Sequence, residues 1–160
     1  MKTFIATIVA AQLLVSIGIS HGADSTIAVL TGKCTKVIAL GELSNPRMCS
    51  NKIINAEHSN GRNSFTFVLH AKDDSSAVIT FSGIGESQVH KDKNHVMQPV
   101  DHVLFNFDGS IDDLKAVGAC TFENPYLKKP AKVSCKAKTS QGLFVGEFIS
   151  NGVSPDIKEL

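Results

Sequence analysis

Short runs of alternating apolar and polar residues, separated by turn residues, make up most of the chain after residue 25. Phe65, Phe67 and Leu69 are spaced so that they share one face of a strand, and Val103, Phe105 and Phe107 repeat the pattern. A period of two residues is typical of a strand with one buried face. Such runs recur every eight to twelve residues or so, and no long helical period is present. The pattern predicts an all-β fold, an antiparallel sandwich or barrel of about 7–9 strands.

Turn residues mark where these strands are expected to end. Asn60-Gly61 predicts a tight hairpin, because both residues tolerate the positive φ of a type I′ turn. Residues 83–99 are polar and irregular, which predicts a long loop. Residues 111–116 are expected to form a helical turn at most. The polar tail from about residue 151 is expected to be frayed.

The first twenty-two residues have the pattern of a secretory signal peptide. Lys2 gives a positive start, residues 4–19 are almost all apolar, and Ser20-His21-Gly22 offers small residues for cleavage before Ala23. The alternative is an uncleaved membrane anchor, but the apolar run is shorter than the roughly 20 residues that a spanning helix needs. We therefore expect a periplasmic or secreted protein with a single β domain over residues 23–160.

The four cysteines form two pairs of identical spacing, Cys34 with Cys49 and Cys120 with Cys135. In an oxidising compartment each pair is able to close one hairpin locally, which favours the disulfides Cys34–Cys49 and Cys120–Cys135. Cross-links between the two units and a zinc site are the alternatives, although zinc ligands usually lie closer in sequence. Both units begin Gly-X-Cys-Thr, which indicates either a weak internal repeat or chance similarity between two hairpins.

Composition excludes some classes of function. The chain carries sixteen Lys and Arg and fifteen Asp and Glu, and loss of Lys2 with the signal would make the charges equal. A balanced charge gives no long-range attraction for nucleic acid or an anionic membrane. With nine Phe, one Tyr and no Trp, the aromatic residues are suited to a core rather than to stacking on sugars.

Two groups of residues are candidates for binding or chemistry. His90, His95 and His102 lie near the acids Glu86, Asp92 and Asp101, a set able to bind a metal if the fold gathers it. Their spacing fits no standard ligand pattern, so solvated loop histidines are the preferred interpretation and no metal or other cofactor is predicted.

The second group is a lysine stripe. On a strand, Lys132, Lys136 and Lys138 would point outward while Val133 and Cys135 point inward. Such a stripe would contact a polyanion, a phosphorylated lipid or an acidic protein. The preferred interpretation is a solvated face, or lysines that protect a sheet edge from association.

Nothing in the sequence is a catalytic signature. The Gly83-Ile84-Gly85 segment lacks the third glycine and the helix of a phosphate-binding loop, and Ser82 lacks the Gly-X-Ser-X-Gly turn of α/β-hydrolases. We therefore predict no catalytic residues.

Three segments, residues 79–83, 116–125 and 150–156, together with the four cysteines, resemble small exported bacterial proteins whose function is not assigned. The resemblance implies a periplasmic or secreted location and transfers no site residue.

The function expected from the sequence is a non-catalytic binding or interaction module for an unknown protein or small molecule. It would use the 83–99 segment or the lysine stripe, with no role for nucleic acid. Two alternatives stay open: a small hydrolase or metal-dependent enzyme that uses His90, His95 or His102, and a secreted protein inhibitor, because disulfide-pinned hairpins present rigid loops.

Overall fold

The computed structural model describes residues 25–44, 48–70 and 76–160, and these form one antiparallel β-barrel. Eight long strands follow one another around the barrel in chain order, and the last pairs with the first. The eight are β1 (Thr26–Ala39), β3 (Cys49–Glu57), β4 (Arg62–His70), β5 (Ser76–Ile84), β7 (His95–Phe107), β8 (Ser110–Glu123), β9 (Lys132–Thr139) and β10 (Leu143–Ser150). Three short strands pair at their edges: β2 (Glu42–Ser44), β6 (Val89–His90) and β11 (Asp156–Glu159). The predicted all-β class and strand number are confirmed.

Pairing of β1 with β10 closes the sheet. Gly32 lies opposite Ser150 and Val37 opposite Gly146, with a bulge in β1 between Cys34 and Lys36. Closure removes the free edges that an open sheet would expose. Residues from the two ends of the described chain therefore become neighbours on one stretch of wall.

Phenylalanines fill the inside of the barrel. Phe67 and Phe81 are buried and meet edge to face with ring centroids 5.9 Å apart. The ring of Phe67 also covers Gly146 on β10, where an added Cβ would lie 2.6 Å from ring carbons. Burying such rings supplies the main favourable free energy of a core like this one.

Both favoured disulfides are confirmed. Cys34–Cys49 links β1 to the start of β3, and Cys120–Cys135 joins directly opposed residues of β8 and β9. Cys120 and Cys135 are fully buried, whereas Cys49 is only partly buried. The two units with equal spacing therefore occupy different surroundings in the barrel.

Two local predictions differ from the structure. The segment predicted as a loop over 83–99 contains a 3-10 turn at Gly85–Ser87 and strand β6, and β7 already begins at His95. Pro99 lies inside β7 close to the bulge between Val100 and His102, a position where a missing N–H is tolerated. The 111–116 segment is part of β8, because cross-strand pairing with β7 overrides its weak local preference.

The chain ends also bear on earlier predictions. Part of the tail expected to be frayed forms β11, which pairs with Thr26–Val29 of β1. The predicted Asn60-Gly61 hairpin is present, but only Gly61 of the two has a positive φ, +79°, so the turn is not of type I′. The predicted signal peptide lies outside the described residues, and so does most of the polar run 72–76, whose pattern predicts a turn. None of the described helical segments has the length and apolar character needed to cross a bilayer.

Candidate functional site

The barrel interior leaves little room for a ligand. Side chains from all eight long strands occupy it, and the largest buried ones are Phe67, Phe81, Phe144 and Phe148. A cavity of about 120 Å³ lies at one end, between Phe65, Phe122 and the loop residue Tyr126. This is smaller than the 300 Å³ or so of ordinary ligand pockets. We therefore looked for function on the outer wall.

Five lysines lie on one stretch of that wall, which we call the lysine face. On β9, Lys132, Lys136 and Lys138 are exposed while Val133 and Cys135 are buried, so the alternation predicted for this strand is confirmed. Barrel closure adds two exposed lysines from β1, and the complete set is Lys33, Lys36, Lys132, Lys136 and Lys138.

Strand register places these lysines close together, with Glu147 among them and Glu123 of β8 beside Lys132, whose backbone N–H donates to the Glu123 carboxylate. Ile149 of β10 lies opposite both Lys33 and Lys132, so the two lysines are about two strand spacings, or roughly 10 Å, apart. Glu147, also on β10, lies opposite Lys36. Along β9 the face extends roughly 20 Å from Lys132 to Lys138. The face therefore has a concentrated positive charge although the whole chain is nearly neutral.

The lysines of this face are not neutralised by ion pairs. Among the described residues, the ion pairs with oxygen and nitrogen within 4.0 Å involve only Arg62, His95 and His102 as the basic partner. The exposed apolar side chain of Ile149 lies between Lys33 and Lys132, and Val117 of β8 lies beside Lys138 at the edge of the face. Ammonium groups that have no carboxylate partner remain available to an anion from outside.

The three candidate histidines do not gather at one point. His90 and His95 lie near each other, because His90 pairs with the neighbour of His95 across β6 and β7. His102 lies seven residues further along β7, roughly 23 Å away. Within the described ranges no group of three possible metal ligands comes together. The structure therefore gives no geometric support for a metal site built from these histidines.

His95 has local partners instead. Its Nδ1 lies 2.8 Å from a carboxylate oxygen of Asp92, and its Nε2 lies 3.5 Å from Glu123. The backbone N–H of Asn94 and the His95 side chain lower the pKa of Asp92 by donating hydrogen bonds to its carboxylate. All of these groups are substantially exposed. The hydrogen bonds within the cluster hold the turn between β6 and β7.

His102 belongs to a different feature, a polar cleft on the wall formed by β4, β5, β7 and β8. The cleft has a volume of about 360 Å³, within the range of small-molecule sites. Its polar lining consists of His58, Asn60, Arg62, Ser82, His102 and Asp113, and Leu104 adds an apolar patch. Ser82 is only 5% exposed although it points out of the barrel, because longer side chains cover it.

Hydrogen bonds fix the positions of these side chains. Arg62 donates from Nε to Ser82 Oγ over 3.0 Å and pairs its terminal nitrogens with the Asp101 carboxylate. This contact with Arg62 lowers the pKa of Asp101. On the other side, His102 Nδ1 lies 2.6 Å from Asp113 Oδ1. A carboxylate only accepts, so Nδ1 carries the proton and a neutral His102 keeps its lone pair on Nε2.

Sequence reasoning named some of these residues and missed others. It identified Lys132, Lys136, Lys138 and His102, but not Lys33, Lys36, Arg62, Ser82 or Asp113 as parts of sites. Alternation alone gave no signal for Lys33 and Lys36 together, because residues three apart point to opposite faces of a regular strand. The bulge between Cys34 and Lys36 places both on the outer wall, and their neighbours depend on strand pairing across the whole chain. No family model, curated protein or solved structure matches this chain.

Proposed function

We propose that this protein is an exported binding module whose lysine face holds an anionic polymer with closely spaced sulfate or phosphate groups. The observation that carries the proposal is the gathering of five exposed lysines from β1 and β9, without carboxylate partners among the described residues. The proposal assigns the unknown ligand expected from the sequence to a chemical class, the sulfated or phosphorylated polymers.

The chemistry of lysine favours sulfate and phosphate. Each ammonium is a compact point charge on a flexible stem and matches such groups without a fixed planar geometry. The basic residues that carry the face are all lysines, whereas Arg62 lies in the polar cleft and is paired with Asp101. Recognition that required a bidentate carboxylate would instead need arginine forks.

The size of the face favours a polymer. Its charges extend over roughly 20 by 10 Å, more than one small anion is able to span. A shallow cleft of about 390 Å³ lies beside Lys33 and Ile149, but the other four lysines do not line it. A flexible chain is able to lie across the wall and contact several ammonium groups at once, and each contact releases a bound counterion.

The side chains of the face argue against a nucleic acid as ligand. Single-stranded binders stack bases on aromatic rings, and the face has none. The exposed aromatic residues Phe107 and Tyr126 lie at opposite ends of the barrel, at the end of β7 and in the loop after β8. In the part of the chain that the structure describes, no helix or ribbon projects from this wall to enter a groove of duplex DNA.

Salt-dependent binding to heparin, as a sulfated probe, tests the proposal. The test variant replaces Lys36, Lys132 and Lys136 with Ser, and the control replaces Lys91, Lys93 and Lys158, which are exposed in the turn between β6 and β7 and on β11. Both variants lose the same charge. We expect the slope of log K against log salt to fall by about 2 for the test variant and to stay unchanged for the control.

Two outcomes would contradict the proposal. Equal weakening of heparin binding in both variants would show that only net charge matters. If the wild type does not bind heparin at low salt, the proposal of a polymer ligand is wrong. Inorganic polyphosphate and vesicles that contain phosphatidylglycerol are parallel probes. Binding to the vesicles alone would replace the soluble polymer with a lipid surface.

A further inference from the structure

Three chemically complementary side chains lie side by side in the polar cleft. Ser82 of β5 is directly opposite His102 of β7, so their Cβ atoms are about 5 Å apart. Asp113 of β8 lies opposite Leu104 and reaches His102 diagonally. All three side chains line the same cleft on the outside of the barrel.

We propose that Ser82, His102 and Asp113 form an acyl-transfer site that hydrolyses small carboxylic esters. Asp113 holds His102 so that its free Nε2 is turned away from the carboxylate and is available as a base. The roles match those of a serine hydrolase, whose triad is recognised by geometry and not by sequence position. The absence of a Gly-X-Ser-X-Gly turn excludes only the α/β-hydrolase arrangement.

Arg62 sets the hydrogen bonding and the local charge at the hydroxyl group of Ser82. Its Nε donates to Ser82 Oγ, which leaves the serine proton free to be donated elsewhere. A guanidinium next to the oxygen also favours the alkoxide that forms during attack. The other nitrogens of Arg62 are held by Asp101, so its position does not depend on a substrate.

The reaction requires water as the only co-reactant. Ser82 Oγ attacks the ester carbonyl carbon, its proton passes to His102 Nε2, and the carbonyl electron pair moves onto oxygen. Collapse breaks the bond to the alcohol, which leaves with the proton from His102. Water then attacks the acyl group through the same steps, and the acid and the original Ser82 hydroxyl are released.

The structure shows this site before substrate is bound. Ser82 Oγ is hydrogen bonded to Arg62, and no hydrogen bond joins Ser82 to His102. Such contacts often tighten only in the complex with substrate. The cleft volume of about 360 Å³ limits the substrate to a small ester, whose acyl chain would lie against Leu104.

Labelling with a fluorophosphonate, followed by peptide mapping of the wild-type protein, tests the proposal. We expect one adduct per molecule, on Ser82. The variant Ser82→Ala should give none, while Ser64→Ala should label like the wild type. Ser64 is a matched control, because it is a buried serine on the same wall with a histidine, His58, 3.0 Å from its Oγ.

The roles of the other two residues have their own readouts. His102→Ala should slow labelling at least about 100-fold, and Asp113→Asn should slow it as well. The pH profile of the labelling rate should also change in His102→Ala, because the general base is then missing. An adduct on any residue other than Ser82, or no adduct on the folded wild type, would overturn the proposal. The labelling results do not depend on the lysine face, because the substitutions made there replace no residue of the cleft.

Discussion

At the scale of single residues, Arg62 organises the polar cleft. It starts β4 and joins two further strands, through Ser82 on β5 and Asp101 on β7. Asp101 lies in the bulge between Val100 and His102, where β8 has one residue more than β7, and its carboxylate reaches Arg62 from there. One side chain therefore links three neighbouring strands on the outside of the barrel.

The pH dependence of stability tests this link. Because Arg62 lowers the pKa of Asp101 in the folded state, the pair stabilises the fold above the unfolded pKa of about 3.9. That contribution is lost as the pH falls through the lowered folded value. We expect Asp101→Asn to reduce the free energy of unfolding by about 0.5 kcal/mol at pH 7, since the pair is partly exposed, and by nothing near pH 2.

Denaturant titrations at both pH values measure this difference. Asp112→Asn, a change of another exposed acid on β8, is the control and should leave the difference near zero at both pH values. A loss for Asp101→Asn that is as large at pH 2 as at pH 7 would contradict the role of the ionised pair.

At the scale of elements, the two disulfides fasten neighbouring parts of the barrel in different ways. Each spans fifteen residues, so each restricts the unfolded chain to the same extent. Their surroundings in the barrel differ, because Cys120 and Cys135 are both fully buried between paired strands. Cys49 is only partly buried at the start of β3.

Replacing each cysteine pair with alanine should separate the effect of the cross-link on the unfolded chain from the effect of burial in the core. We expect either double variant to lose about 3 kcal/mol through chain entropy. The variant Cys120→Ala/Cys135→Ala should lose about 1 kcal/mol more, because it leaves a cavity in the core. Equilibrium unfolding in urea measures both values, and a larger loss for Cys34→Ala/Cys49→Ala would contradict this ranking.

How far the sequence predicts the fold also becomes clear at this scale. The period of two in β4, β7 and β9 predicted strands and their buried faces correctly, because burial of one face is a local property of the pattern. Residues 111–116 and 95–99 were misassigned, because their strand state comes from pairing between β7 and β8. The local sequence of these segments, with Pro99 and adjacent acids, contains little strand preference.

The residues of the candidate sites were likewise predicted where a local pattern was enough and missed where strand pairing was needed. Exposure of Lys136 and Lys138 follows from alternation along one strand and was predicted. The proximity of Lys36 to this group requires β1 to pair with β10, more than one hundred residues away in sequence. The alignment of Ser82 with His102 similarly depends on register, since a shift of one residue would turn one of them into the core.

At the scale of the whole molecule, closure of the barrel concentrates charge that the composition conceals. A net charge of +1 indicates no preference for anions. The fold nevertheless places five lysines on one side of the wall and a cleft with two carboxylates, Asp101 and Asp113, on another. This separation gives the protein two chemically distinct faces, one for an anionic polymer and one for a small ester.

The central claim, that the lysine face is the binding surface, is tested most directly by mapping amide NMR shifts during titration with a heparin hexasaccharide. The account predicts saturable changes confined to β1, β8, β9 and β10, largest around Lys36 and Lys136, and absent from the Lys36→Ser/Lys132→Ser/Lys136→Ser variant. Changes centred on the cleft strands β4 and β5, or no changes at low salt, would contradict it.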